Sequence, residues 1–252
     1  SYTIEFLMGS TDDNGALFFC NGVLEKLQEY LDDGTLVCKS GNMTFDSTGI
    51  LRWDQDAAQA KMESILDEFY QEEKTPDIII TASDEFAIGV QELLEERGIL
   101  SDSEEWPVIT GYGSELQAVK DVAEGKITLT TYLDRKELAQ GGAKMALDYL
   151  AGEKVDVKDY SQYDNGTKIV GTFTCGAQLI DKDNYQILVD NGTYDEEEIK
   201  PDPTPTPTPE PTSTPEPTLT PEVTSTPEAT VTPKATVTPT ASETPAAADK
   251  TI

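Results

Sequence analysis

The chain has 252 residues, a formal net charge of −30 and no histidine. Such acidity repels phosphate backbones and anionic lipid, which argues against nucleic-acid partners and against adsorption to a membrane surface. The missing histidine removes the commonest general base and the commonest metal ligand, and Cys20, Cys38 and Cys175 show no CxxC pair or zinc spacing.

Of the 15 prolines only Pro76 and Pro107 precede position 201. The composition therefore divides the chain into a globular part, residues 1–200, and a disordered Thr/Pro/Glu-rich linker, residues 201–252. The first is long enough to bury one core. In the second, recurrent proline denies helix and sheet and favours an extended spacer, the texture of secreted and cell-surface bacterial proteins. No run is long enough to cross a bilayer, so no direct membrane insertion is expected. The chain opens on Ser1 and at once reads as a strand, so the natural protein is expected to extend upstream.

In chain order, Ile4–Leu7 reads as a first strand, followed by a polar turn from Gly9 to Gly15 and a helix whose buried side runs from Ala16 to Leu31. Gly34 stops that helix, Thr35–Lys39 reads as a second strand, and Ser40–Arg52 reads as an irregular loop ending at Trp53. Asp54 caps a helix whose buried side runs from Ala57 to Phe69.

Asp77–Ile80 has no polar face, the mark of a parallel strand covered on both sides. Ser83 and Asp84 then offer caps for a helix through Val90. Pro107–Thr110 is the next strand, Gly111–Ser114 leads into the helix Glu115–Glu124, Ile127–Leu133 alternates as a strand, and Arg135–Leu150 is a long amphipathic helix. Beyond it, Tyr160–Tyr163 and Lys168–Phe173 flank an Asp-Asn-Gly turn as a hairpin, and Asp181–Val189 and Tyr194–Ile199 read as short helices. Repeated strand–helix alternation implies an α/β fold with a parallel, doubly wound sheet. Small ligands of such sheets sit beyond the carboxyl ends of the strands, which marks Ser83 and Asp84 as candidate ligand-binding residues.

Chemistry-bearing motifs are few. Asp181–Tyr185 begins like a calcium loop but lacks the glycine and the closing glutamate, and is read as a cap, as is Asp54–Asp56. There is no GxSxG, P-loop or GxGxxG. Pairs such as Asp12–Asp13 and Glu104–Glu105 have no acid–base machinery beside them. No cofactor, no metal and no enzymatic activity are expected. A Cys20–Cys38 disulfide and separate buried thiols both fit the spacing.

Six segments together resemble the type I periplasmic sugar-binding proteins, in particular the xylose- and multiple-monosaccharide-binding branch of ABC transporter receptors. They are Gly9–Asn14, Lys39–Met43, Leu51–Asp54, Thr110–Gly111, Glu137–Ala139 and Asn184–Asp190. The resemblance covers nearly all of residues 3–200, with much of the N-terminal lobe missing, and implies the C-terminal lobe of a two-lobed fold that clamps one monosaccharide of the xylose, glucose or galactose class. It places Asp13 and Asn14 on the loop that points at the sugar and Trp53 beside the cleft. A carboxylate accepts two hydroxyls and an indole covers C–H surface. The chain also departs from the family. Gly15, Ser83, Gly113 and Leu133 stand where relatives carry longer polar groups, so ordinary pyranose binding is expected to be weakened. The helix Arg135–Leu150 packs on the other lobe in the family and is expected to show an unpartnered apolar face.

Four readings follow from this. The first is an extracellular sugar-binding protein of an ABC transport system, working with a membrane permease. The second is a surface-anchored sensor or interaction domain with a membrane sensor partner. An enzyme and a repressor effector domain rank below both.

Overall fold

The computed structural model describes residues 1–200 except Leu100, Glu104 and Lys158. The chain divides into a unit of Ser1–Pro205 and one of Thr206–Ile252. The linker expected over residues 201–252 lies outside the described residues, as does Glu104 of the Glu104–Glu105 pair.

Six strands form one sheet in the order β2-β1-β3-β4-β5-β6. They are β1 (Tyr2–Leu7), β2 (Leu36–Val37), β3 (Ile78–Thr81), β4 (Val108–Thr110), β5 (Leu129–Leu133) and β6 (Ala177–Asp181). The first five run parallel and β6 pairs antiparallel with β5. The main helices are α1 (Asn14–Asp32), α3 (Gln55–Phe69), α4 (Asp84–Glu96), α5 (Leu116–Glu124) and α6 (Arg135–Ala151), with short turns α2 (Phe45–Thr48), α7 (Ile187–Asp190) and α8 (Glu196–Ile199). Because β1 lies between β2 and β3, the chain reverses direction across the sheet at the β1/β3 pair. A crevice opens at such a switch point.

Period-two alternation sorts the strand side chains. Ile4, Phe6 and Met8 meet Cys20 and the apolar side of α1. Leu7, Ile79 and Ile109 meet Met62, Leu66, Phe86 and Val90 of α3 and α4. A smaller cluster joins Val119, Tyr132, Ile180, Leu188 and Ile199. Glu5 is fully buried on β1 and accepts hydrogen bonds from the Tyr70 hydroxyl (2.8 Å) and from the Ser40 amide (3.0 Å) and hydroxyl (2.5 Å). That anchoring pins the start of the loop that leads to Trp53.

Several elements differ from the sequence reading. The strand expected over Thr35–Lys39 shrinks to Leu36–Val37, because Ser40 turns back to serve Glu5. The stretch read as loop over Ser40–Arg52 contains α2, held by a reciprocal Thr44–Ser47 capping box, and a single 3₁₀ turn over Leu51–Trp53. The strand expected from Ile127 starts at Leu129. The hairpin around Asn165 is reduced to isolated bridges, Asp159 with Thr172 and Asp164 with Ile169. The sheet also gains β6, which carries one buried residue in five and so has too weak a pattern to read. Asp181 ends that strand and accepts from the Asp183 amide, stopping a turn rather than capping a helix, and the helix read from Asp181 begins at Ile187. Cys20 and Cys38 are not joined in a disulfide.

Burial on the β3 run is one-sided. Ile79 is fully buried, but Ile78 and Ile80 are only partly covered, and Val108 beside them on β4 is 42% exposed. None of the residues of helix α6 is buried. Leu138, Leu147, Tyr149 and Leu150 stand in solvent, while Phe173 packs beside Gly141.

Candidate functional site

The crevice at the β1/β3 switch point has one wall from the segment after β1. Asp13 caps α1, its Oδ1 accepting from the Gly15 amide at 2.7 Å. Gly9 leaves room above the strand end: a β-carbon there would fall within the Trp53 ring. The Trp53 indole fills that space, donates its Nε1 hydrogen to Oδ2 of Asp13 at 3.2 Å, and stacks on Phe86 at 6.0 Å between centroids. The 3₁₀ turn that delivers Trp53 is unusual, with Arg52 at φ 63 and Trp53 at φ 55. Two consecutive non-glycine residues in the left-handed region cost of order 1 kcal/mol each and persist only where surroundings enforce them. The enforcing contacts are visible. Ile50 donates to the carbonyls of Met8 and Gly9, and the Arg52 amide donates to the buried Ser10 hydroxyl at 2.7 Å.

The second wall comes from the ends of β3 and β4. Ser83 caps α4, accepting from the Phe86 amide at 3.2 Å, and remains half-buried. Asp84 is 1% exposed. Its carboxylate accepts from the Thr130 hydroxyl (2.6 Å) and the Glu115 amide (2.7 Å), and its own amide donates to the Tyr112 carbonyl. Burial pushes the Asp84 carboxyl above its usual range, and the Thr130 and Glu115 hydrogen bonds oppose that shift. Gly111 and Gly113 supply the room for the carboxylate. Asp84 thus ties the ends of β3, β4 and β5 together.

The structure brings Asp13 and Trp53 into direct contact and sets Asn14 next to them as the exposed first residue of α1. Ser83 lies across the crevice, at the end of the neighbouring strand. Asp84 points into the fold. Gly113 and Leu133, singled out in the sequence, line a cavity of 240 Å³ beyond β4 and β5 together with Ser114, Tyr132 and Asn191, which sequence reasoning did not reach. Among the described residues, no three His, Cys, Asp or Glu side chains are grouped to hold a metal, and no helix is long and apolar enough to cross a membrane.

Residues 2–154 match the family described as periplasmic binding protein domain. The chain belongs to that family. It is 34% identical over 200 residues to the multiple sugar-binding periplasmic receptor ChvE of Rhizobium radiobacter, covering 79% of this chain and 56% of the receptor. It is 26% identical over 196 residues to the D-xylose-binding periplasmic protein of Haemophilus influenzae, covering 77% and 54%. Among solved structures it resembles an ABC transporter solute-binding protein from Clostridium phytofermentans with bound β-D-glucose, at 32% identity and a TM-score of 0.73, covering 79% of this chain and 60% of that one. The chain thus spans little more than half the length of the curated relatives it matches.

Proposed function

We propose that this chain supplies the carbohydrate-contacting face of a non-enzymatic solute receptor, exported from the cell and serving an ABC-type permease. The observation that carries the reading is the Asp13–Trp53 pair at the β1/β3 switch point. A carboxylate held beside an upright indole offers an acceptor for vicinal hydroxyls and a flat apolar face for ring C–H groups. Similarity to a glucose-bound receptor over most of the chain supports the same reading. Asn14 and Ser83 add polar reach from either wall. Asp84 serves as a positioning residue, since its oxygens are spent inside the fold. Ser83, Gly113 and Leu133 are short or apolar at the strand ends, so a single sugar ring finds few partners there and binds weakly.

Titration calorimetry of the full chain with glucose, xylose and galactose tests this. Weak binding that vanishes in Trp53→Ala and Asp13→Ala is expected, and no binding to any carbohydrate overturns the reading. The Thr/Pro-rich sequence of residues 201–252 favours a second reading, a cell-surface-anchored sensor using the same fold on a stalk. Fractionation of the native cell, with the protein retained on the surface without a permease partner, would favour it.

A further inference from the structure

Two stretches of chain meet at the Asp13–Trp53 pair, and they interlock. Gly9 makes room for the Trp53 ring, and Gly49 in return makes room for the Thr11 methyl group, which lies where a β-carbon on Gly49 would stand. These are contacts of shape. They bring the two stretches together without fixing the backbone angles of the turn that carries the indole.

One side-chain contact between them is directional. Ser10 is 1% exposed. Its hydroxyl has a single hydrogen, which it donates to Oδ1 of Asp12, and a lone pair then accepts from the Arg52 amide at 2.7 Å, 42 residues away in the chain. The Ser10 carbonyl also accepts from the Asp13 amide at 3.0 Å. One residue thus holds the backbone of both partners, that of Asp13 directly and that of Trp53 through its neighbour.

Arg52 is where the bond matters. At φ 63 and ψ 18 it sits in the left-handed region, which an L side chain disfavours, and it is exposed, so packing does little to keep it there. Without the Ser10 hydroxyl its amide loses an acceptor and the turn is free to relax to negative φ. Such a relaxation re-aims the side chain that follows, which is Trp53.

We propose that Ser10 is a positioning residue of the binding site: its hydroxyl clamps the Arg52–Trp53 turn in the left-handed form and so stands the indole against Asp13. The proposal rests on the carbohydrate reading for what the pair binds, though not for how the pair is held.

NMR of the two tryptophan indole N–H groups in the full chain, beside calorimetry with glucose and xylose, tests it. The Trp106 indole donates to the Lys126 carbonyl at 2.9 Å and serves as the internal control. Ser10→Ala should move the Trp53 signal toward that of a solvated indole, leave the Trp106 signal in place, and weaken sugar binding about ten-fold. Glycine enters the left-handed region freely, so in the Arg52→Gly background the turn needs no clamp. There the same Ser10→Ala change should shift the Trp53 signal far less. A Trp53 signal unmoved by Ser10→Ala, or an equal shift in both backgrounds, overturns the proposal while the carbohydrate reading stands. If Ser10→Ala alone unfolds the chain, the double variant decides: folded with the Trp53 signal in place upholds the clamp, and unfolded overturns it. Absence of sugar binding in the parent chain overturns the carbohydrate reading, and the indole signals still decide what holds Trp53.

Discussion

Oδ1 of Asp84 occupies the space that a β-carbon on Gly111 would need. Gly111 has an ordinary backbone conformation, so the requirement is for volume rather than for a left-handed turn. The Asp84 carboxylate cannot withdraw, because Thr130 and Glu115 both donate to it.

Gly111→Ala is therefore expected to destabilise the fold by about 1–3 kcal/mol, the usual cost of overpacking. In an Asp84→Ala background the same change should cost much less, since the obstructing atom is gone. Urea unfolding of the two single variants and the double variant measures the coupling, and strict additivity would show that the carboxylate is not what the methyl meets.

Gly9→Ala should displace the Trp53 indole without unmaking the sheet. The indole would lose its bond to Asp13 and its stacking on Phe86 and become more hydrated. A red shift of tryptophan emission and about ten-fold or greater loss of carbohydrate affinity are expected, with far-UV circular dichroism retained. Unchanged emission would mean that Trp53 does not depend on this gap.

Asp121 on α5 gives the fold an unusual pH dependence. Its side chain is 2% exposed with one oxygen unpartnered, and burial raises its pKa from 3.8 to about 6. Gln117 and Lys126 oppose that shift, and Glu124 and Glu95 add to it. Between those two values the folded state binds more protons than the unfolded chain, so this group's contribution to stability falls as pH rises through the window, by at most about 3 kcal/mol. Asp121→Asn should melt higher than the parent near neutral pH, with the gap closing as pH approaches about 4. A constant gap from about pH 4 to pH 8 would remove Asp121 from the account.

Cys20 is buried, and its thiol is pushed above the ordinary value by that burial, against a weaker opposing contact with Thr48. Little thiolate forms near neutral pH, and what forms is out of reach. Iodoacetamide should label Cys20 only after denaturation, as peptide mass spectrometry would read. Prompt labelling in the native protein would show that the α1 face opens readily.

The sheet was legible in the sequence because β1, β3 and β5 read as short strands, each leading into a helix with a side-chain cap. Asp54 and Ser83 each signalled the helix they cap, and each accepts from an amide of that helix. The edges were not legible. β6 has exposed residues in a row, and the α2 turn depends on Thr44 and Ser47 bonding each other, which no hydrophobic period records. At the site, Asp13 and Trp53 were singled out separately, but their contact depends on the Met8–Ile50 backbone pairing and on a bare Gly9, both long-range. Asp84 shows the limit of reading position alone. A carboxylate at a strand end suggested a ligand, yet the glycines beyond β4 give it a place inside. The β4–β5 cavity was not assembled from the sequence because its lining comes from three separate stretches, 113–114, 132–136 and 191–194.

Helix α6 runs for 17 residues and buries none of them. Its caps, Asp134 and Gly152, hold its ends, but they do not make its order contingent on the sheet's. Such an element melts on its own schedule. On heating, ellipticity from peptide bonds should begin to fall before the tryptophans sense any change, so the protein loosens in two stages.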